Sequence, residues 1–156
     1  MANVQKTIEI PVPVREAYNQ WTQFESFPRF MEGVEEVRQL DDRRLHWRAK
    51  VGGRETEWDA EITEQIPDNR IAWRSISGRP NAGVVDFHRL DDTHTQVSLQ
   101  MEAEPQGAAE SVGDKLGVLD RQVEGDLKRF RDFIAERGTA EGAWRGEINA
   151  RQGGAP

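Results

Sequence analysis

A chain of 156 residues with 28 acidic against 21 basic side chains, a net charge of −7 and no cysteine is sized for one hydrophobic core and excludes disulfides and thiolate metal sites. The negative balance argues against a phosphate backbone as partner, because non-specific nucleic-acid affinity rests on basic patches. The opening MANVQKTIEI lacks the charged-then-apolar run of a signal peptide and no apolar stretch approaches membrane-span length, so a cytoplasmic protein without a membrane span is the expectation.

In chain order, Val4, Lys6, Ile8 and Ile10 alternate with Gln5, Thr7 and Glu9, which predicts a first strand. Pro11 and Pro13 end it, and Pro13 suits the first position of a helix. Val14, Tyr18 and Trp21 then fall at i, i+4 and i+7, an apolar stripe about two turns long. The next stretch, QWTQFESFPRFM (Gln20–Met31), crowds one Trp, three Phe and a Met into twelve residues. Pro28 keeps it from being one regular helix, so a second short helix stops or kinks near Phe27-Pro28. These rings are either core or one wall of a cavity.

Strands are predicted near 34–41, 43–51, 54–66, 70–78, 82–90 and 94–104, separated by Asp-Asp, Gly-Gly, Pro-Asp-Asn and Asp-Asp-Thr turn signals. Gly52-Gly53 is a two-residue hairpin loop that pairs Val51 with Arg54. Counting outward sets Lys50 opposite Glu55, Arg48 opposite Glu57, His46 opposite Asp59 and Arg44 opposite Glu61 on one face. Leu45–Ala60, Trp47–Trp58 and Ala49–Thr56 share the other. One side is solvated and the other is apolar. A four-residue loop Pro67–Arg70 continues the inner face as Ile62, Ile71, Trp73 and Ser75. A three-residue loop Asp91–Thr93 pairs Phe87 with Val97 and Val85 with Leu99, and turns His88 and His94 outward with His46.

A long helix begins after Pro105-Gln106-Gly107 and runs to Arg137. Val112, Leu116, Leu119, Val123, Leu127, Phe130 and Ile134 fall within about 80° of its circumference. Gly138 ends it. Residues 1–138 are therefore read as one domain, and 139–156 as a flexible tail, polar except for Trp144 and Ile148.

The run IEIPVPVREAYNQWTQFESFPRFMEGVEEV resembles the opening of the START-like, Bet v 1-like (SRPBCC) superfamily, in the polyketide cyclase/dehydrase branch. The matching features are Ile10 with Pro11 and Pro13, Trp21, and Phe27-Pro28. NRIAWRSISG, GVVDFHRLDDTHTQVSL and the closing helix are similar too, so the likeness extends to about Gly138. It implies an α+β helix-grip fold, β-α-α-β6-α, in which a curved antiparallel sheet of about seven strands wraps a long C-terminal helix. It also implies a cavity between them that binds lipid-like or aromatic ligands; some members catalyse cyclisation.

On that implication Phe24, Phe27, Phe30 and Met31 close one mouth of the cavity, with Trp21 and Ser75 also counted in its lining. Trp47, Trp58, Trp73, Phe87 and Met101 form its floor, and Leu116, Leu119 and Val123 its lid. The alternative is that the rings fill the interior, as large aromatics commonly do. Gly113 and Gly117, beside the stripe, either make room for a ligand or allow close packing on a strand.

No catalytic set stands out. The three histidines turn outward, Tyr18 packs with its hydroxyl at the edge, and Ser75 and Thr56 lack a neighbouring base. Glu64 is an inward candidate near Trp73 or, more simply, a strand end in water. No spacing suits a metal and no cofactor is expected. Three functions follow: binding, for transport or sensing, of a small hydrophobic ligand; a polyketide aromatase/cyclase or dehydrase; or a module whose tail docks on a protein partner through Trp144, unless that tail folds back on its own domain.

Overall fold

The computed structural model describes the backbone of residues 2–51, 54–78, 80–103 and 112–148, and their side chains except at 2, 51, 103 and 112–119. The elements are β1 (Ala2–Ile10), α1 (Val14–Trp21), a 3₁₀ helix (Phe24–Arg29), β2 (Val34–Gln39), β3 (Arg44–Val51), β4 (Arg54–Ile66), β5 (Arg70–Gly78), β6 (Asn81–Asp91), β7 (His94–Ala103) and α2 (Val112–Arg137). One seven-stranded antiparallel sheet runs in the order β1-β7-β6-β5-β4-β3-β2. The first strand pairs with the last, so β1 and β2 are opposite edges, and α1 with the 3₁₀ helix carries the chain from one to the other. The sheet wraps α2, whose Val123, Leu127, Phe130 and Ile134 are buried. This is the α+β helix-grip architecture that the sequence resemblance implies.

Local chemistry explains the joints. Pro13 precedes α1 as its N-cap, and its carbonyl accepts from Glu16 N and Ala17 N at 3.0 and 3.2 Å. Pro28 has no amide hydrogen for an α-helical ladder, and the second short helix winds as a 3₁₀ turn around it. Gly138, at φ 76°, ends α2, with its amide on Ile134 O at 2.8 Å.

The β3–β4 register agrees with the expected pairs from Arg44–Glu61 through Val51–Arg54. His46 bonds Asp59 at 2.6 Å and Glu57 at 3.0 Å. Arg48 reaches the diagonal Glu55 at 2.9 Å rather than Glu57 directly opposite, and also contacts Glu35 at 3.4 Å on β2. Diagonal neighbours are within reach of long side chains.

Two joints differ from expectation. Phe87–Val97 and Val85–Leu99 pair as predicted, but the turn spans two residues, with Asp91 opposite His94 and a register shift between Arg89 and Asp91 supplying the extra residue. The β4–β5 turn places Arg70 opposite Ile66, leaving only Pro67–Asn69 as loop with Asp68 at φ 62°, and a further shift lies between Ile62 and Glu64. That bulge changes which residues face inward. Gln65, opposite Ile71, is buried, while Glu64, opposite Ala72, takes an ion pair to Arg70 at 2.9 Å. Glu64 is therefore not an inward acid.

Residues 139–148, expected to belong to a flexible tail, lie along α1. Ala140 N donates to Glu16 Oε1 at 2.9 Å, Glu141 N to Gln20 Oε1 at 2.9 Å and Trp144 N to Thr22 Oγ1 at 3.1 Å. Arg145 bonds Asn19 Oδ1 at 2.6 Å and Asp68 at 2.8 Å, and its guanidinium sits over the Tyr18 ring. Ile148 exchanges backbone hydrogen bonds with Gln65 and is buried. Gln20 and Thr22 are buried polar residues that satisfy the strand-less backbone laid over them, and buried Asn19 accepts from the Arg145 guanidinium. Trp144 is half-buried against the core, and Gly146 admits its ring, since a Cβ there would lie 2.5 Å from the indole.

Candidate ligand cavity

A cavity of about 110 Å³ opens between the inner face of the sheet and α2. Met31, Gly33 and Val34 border it before and at the start of β2. Trp47, Ala49 and Lys50 come from β3, Trp58 from β4, Trp73 from β5, Asn81 from β6, and Leu99 and Met101 from β7. Gln122, Val123 and Asp126 close it from α2. The strand alternation puts the indoles here. Trp47 and Trp58 are direct cross-strand partners, and their rings stack with centroids 5.7 Å apart and 9° between planes. Trp73 lies across Gly83, its neighbour on β6; a Cβ at Gly83 would meet the indole at 2.4 Å and Met101 Sδ at 2.9 Å. Only a residue without a side chain lets that ring lie flat.

Of the expected lining, Met31, Trp47, Trp58, Trp73, Met101 and Val123 meet at this cavity. The remaining described rings interlock elsewhere. Trp21 packs on Phe27 at 5.5 Å, on Phe130 at 4.8 Å and on Phe87 at 6.3 Å, and Phe27 bridges to Phe24, Phe30 and Trp47. Trp21, Phe24, Phe27, Phe30 and Phe87 are thus core that buttresses the cavity wall and do not line the cavity. Edge-on pairs of this kind contribute about 0.5–1.5 kcal/mol each beyond burial. The crowded aromatic segment answers to both readings, since Phe24 to Phe30 anchor while Met31 touches the space. Ser75 does not line it; its Oγ accepts from Asn81 N at 3.1 Å. Leu116, Leu119, Gly113 and Gly117 lie outside the described side chains.

The sequence reading missed the polar groups. Asp126 is buried, and burial raises its carboxyl to about 6 despite a hydrogen bond from Arg129 Nη2 at 2.5 Å and another from Glu32 N at 3.1 Å, both to Oδ1. Arg129 is held in turn by Phe30 O, which accepts from Nε at 2.8 Å, and Gln122 Nε2 donates to Glu32 O at 3.2 Å. The signal was present: Val123, Asp126, Leu127 and Phe130 follow i, i+3, i+4, i+7, so Asp126 sits beside the apolar stripe. The indole N–H groups of Trp47 and Trp58 are buried without a hydrogen-bond acceptor. Tyr18, at the other end of the interior, has its hydroxyl fully buried rather than at the edge; burial raises its pKa, and the Gln65 side chain opposes that shift.

A model of the family described as polyketide cyclase / dehydrase and lipid transport matches residues 10–131. The chain belongs to this family. A relative from Streptomyces lincolnensis, an uncharacterized 17.2 kDa protein of the melC2-rnhH intergenic region, is 56% identical over 149 residues, covering 95% of this chain and 99% of the relative. A crystal structure from Deinococcus radiodurans superposes with a TM-score of 0.70 at 26% identity, covering 88% of this chain and 99% of that one. The Zhui aromatase/cyclase of a Streptomyces species has the same fold, with a TM-score of 0.72 at 17% identity over 91% of this chain and 98% of that one. As in this START-like superfamily generally, the space under α2 is a hydrophobic ligand-binding cavity. Among the described residues no helix is long and apolar enough to cross a membrane.

Proposed function

We propose that the protein binds a small hydrophobic, ring-containing molecule between sheet and α2, as a carrier or sensor. The observation that carries this reading is the cavity walled by three tryptophans, two methionines, Leu99 and Val123. A guest of one or two rings that buries about 300 Å² gains about 7 kcal/mol before association losses. The gross gain corresponds to a Kd of about 10 μM, which association losses weaken toward the millimolar range. Naphthalene is a suitable probe. It should quench tryptophan fluorescence saturably in the native protein and fail to do so in Val123→Trp, in which an indole occupies the space. Native mass spectrometry of gently purified protein should also reveal a co-purified small mass. Absence of saturable quenching by naphthalene and by the more soluble 2-naphthol refutes the reading.

A second reading, aromatase/cyclase or dehydrase chemistry on a polyketide-like chain, draws support from Asp126. A carboxyl raised to about 6 beside an apolar cavity is suited to give and take protons near neutrality. Turnover of a tethered polyketide, lost in Asp126→Asn with naphthalene binding retained, is the result this reading requires.

A further inference from the structure

We infer that the cavity selects its guest by a neutral hydroxyl group, which donates to Asp126 Oδ2 while the attached ring lies in the tryptophan-walled space. The inference rests on the ligand-binding reading and adds the chemistry of recognition.

Asp126 is the only carboxylate among the described lining residues. Its Oδ1 already accepts from Glu32 N and Arg129 Nη2, and no described residue donates to Oδ2. Oδ2 therefore keeps acceptor capacity at the cavity wall, and a hydrogen bond to an ionised group is stronger than one between neutral groups. The acid is also held still. Arg129 is fixed by Phe30 O, and Gln122, one turn before Asp126, is fixed by Glu32 O, so the chain between the 3₁₀ helix and β2 clamps this part of α2. A preorganised acceptor rewards a matching donor more than a mobile one does.

Charge then narrows the donor. Lys50 borders the same cavity from β3, and Arg129 is paired directly with Asp126; Glu32 lies near Arg129 at 3.7 Å but is largely exposed. Lys50 is exposed, but an ammonium guest at Asp126 would have to share the carboxylate with the fixed guanidinium of Arg129. A carboxylate guest would meet Asp126 itself. A phenol or alcohol meets neither penalty. The buried indole N–H groups of Trp47 and Trp58 lack acceptors, so a second oxygen on the ring is also accommodated chemically.

The test compares naphthalene, 2-naphthol and 2-methoxynaphthalene by tryptophan quenching at pH 7.5, where Asp126 is ionised and the naphthol is neutral. The native protein should bind 2-naphthol about tenfold more tightly than 2-methoxynaphthalene, equivalent to about 1.4 kcal/mol. In Asp126→Ala that ratio should fall to about one, whatever the change in the absolute affinity of each probe. Asp126→Asn provides the second variant. Its Oδ1 can keep accepting from Glu32 N and Arg129 while its amide NH₂ replaces the acceptor Oδ2, so the ratio should also collapse. Naphthalene binding without hydroxyl preference in the native protein, or a preference that survives both substitutions, overturns this inference and leaves the cavity reading standing. If none of the three probes binds, both fall.

Discussion

Asp126 makes stability fall as pH rises, the reverse of the usual carboxylate. Its carboxyl is raised from 3.8 to about 6 in the folded chain, chiefly by burial. Below the unfolded value the group is protonated in both states and contributes nothing. Between the two values the unfolded chain has released the proton and the native state retains it, so each rise in pH favours unfolding. Above about 6 both states are ionised and the full penalty of burying the charge remains. The span of about two pH units at about 1.4 kcal/mol each amounts to about 3 kcal/mol. Asp126→Asn has no proton to lose and is nearly isosteric, so it removes this slope. Urea unfolding followed by tryptophan fluorescence, from pH 3.5 to pH 7.5, gives both curves. The variant should gain about 3 kcal/mol on the native protein across that range, with the change centred between 4 and 6. Other titrating groups cancel in the difference. Parallel curves would mean that Arg129 compensates the buried charge completely, and the assignment of Asp126 as a strained acid would be wrong.

Gly83→Ala drives a methyl into the Trp73 indole and Met101 sulfur, so it should cost about 1–3 kcal/mol and reduce naphthalene affinity as the ring moves into the cavity. His46 is raised above its ordinary value, first by its hydrogen bond to Asp59 and then by that to Glu57. Its contribution is complete below pH 6.5 and declines as pH rises through the folded value. NMR titration of its ring should show a midpoint above 6.5 that moves down in Asp59→Asn. Ile148→Ala removes a buried side chain that fastens the C-terminal segment beside Gln65. A loss of about 2 kcal/mol in urea unfolding, with faster amide exchange confined to residues 140–148 and their partners on α1, would establish the segment as part of the folded unit; unchanged stability would show that it contributes nothing.

The order of elements was legible because each boundary has a local cause. Pro11, Pro13 and Pro28 interrupt ladders they cannot join. The charge complementarity flanking Gly52-Gly53 admits a single register for β3 and β4, and all of its pairs are observed. The long helix declared itself by one apolar stripe. Bulges were not legible, because a residue inserted into one strand leaves the alternation on each side intact. The shift between Ile62 and Glu64 therefore moved Gln65 to the inside and Glu64 to an outer ion pair, against a reading that simply counted by twos. A long polar face likewise looks the same whether water or another part of the chain satisfies it. Asn19, Gln20 and Thr22 are polar yet buried beneath 140–145.

The site was half legible, and the division has a physical basis. Sheet alternation and turn register fix the direction of a strand side chain, so the sequence alone assigns Trp47, Trp58, Trp73 and Met101 inward, and all four border the cavity. Ring content alone cannot distinguish wall from filling, since Phe27 and Trp47 are in contact at 5.6 Å and only one of them borders the void. What separates them is where α2 crosses. Val123 and Asp126, one turn apart, both face the space, while Phe130, the next full turn along, packs on Trp21 at 4.8 Å and closes the interior. The hollow therefore lies toward the earlier part of the helix, where an acid replaces a hydrophobe in the i, i+3, i+4, i+7 pattern. In a chain whose other core positions on this helix are Val, Leu, Phe and Ile, burying a carboxylate beside that hollow costs stability at neutral pH. A group that works against the fold at the cavity wall is explained most economically by what it does for the guest.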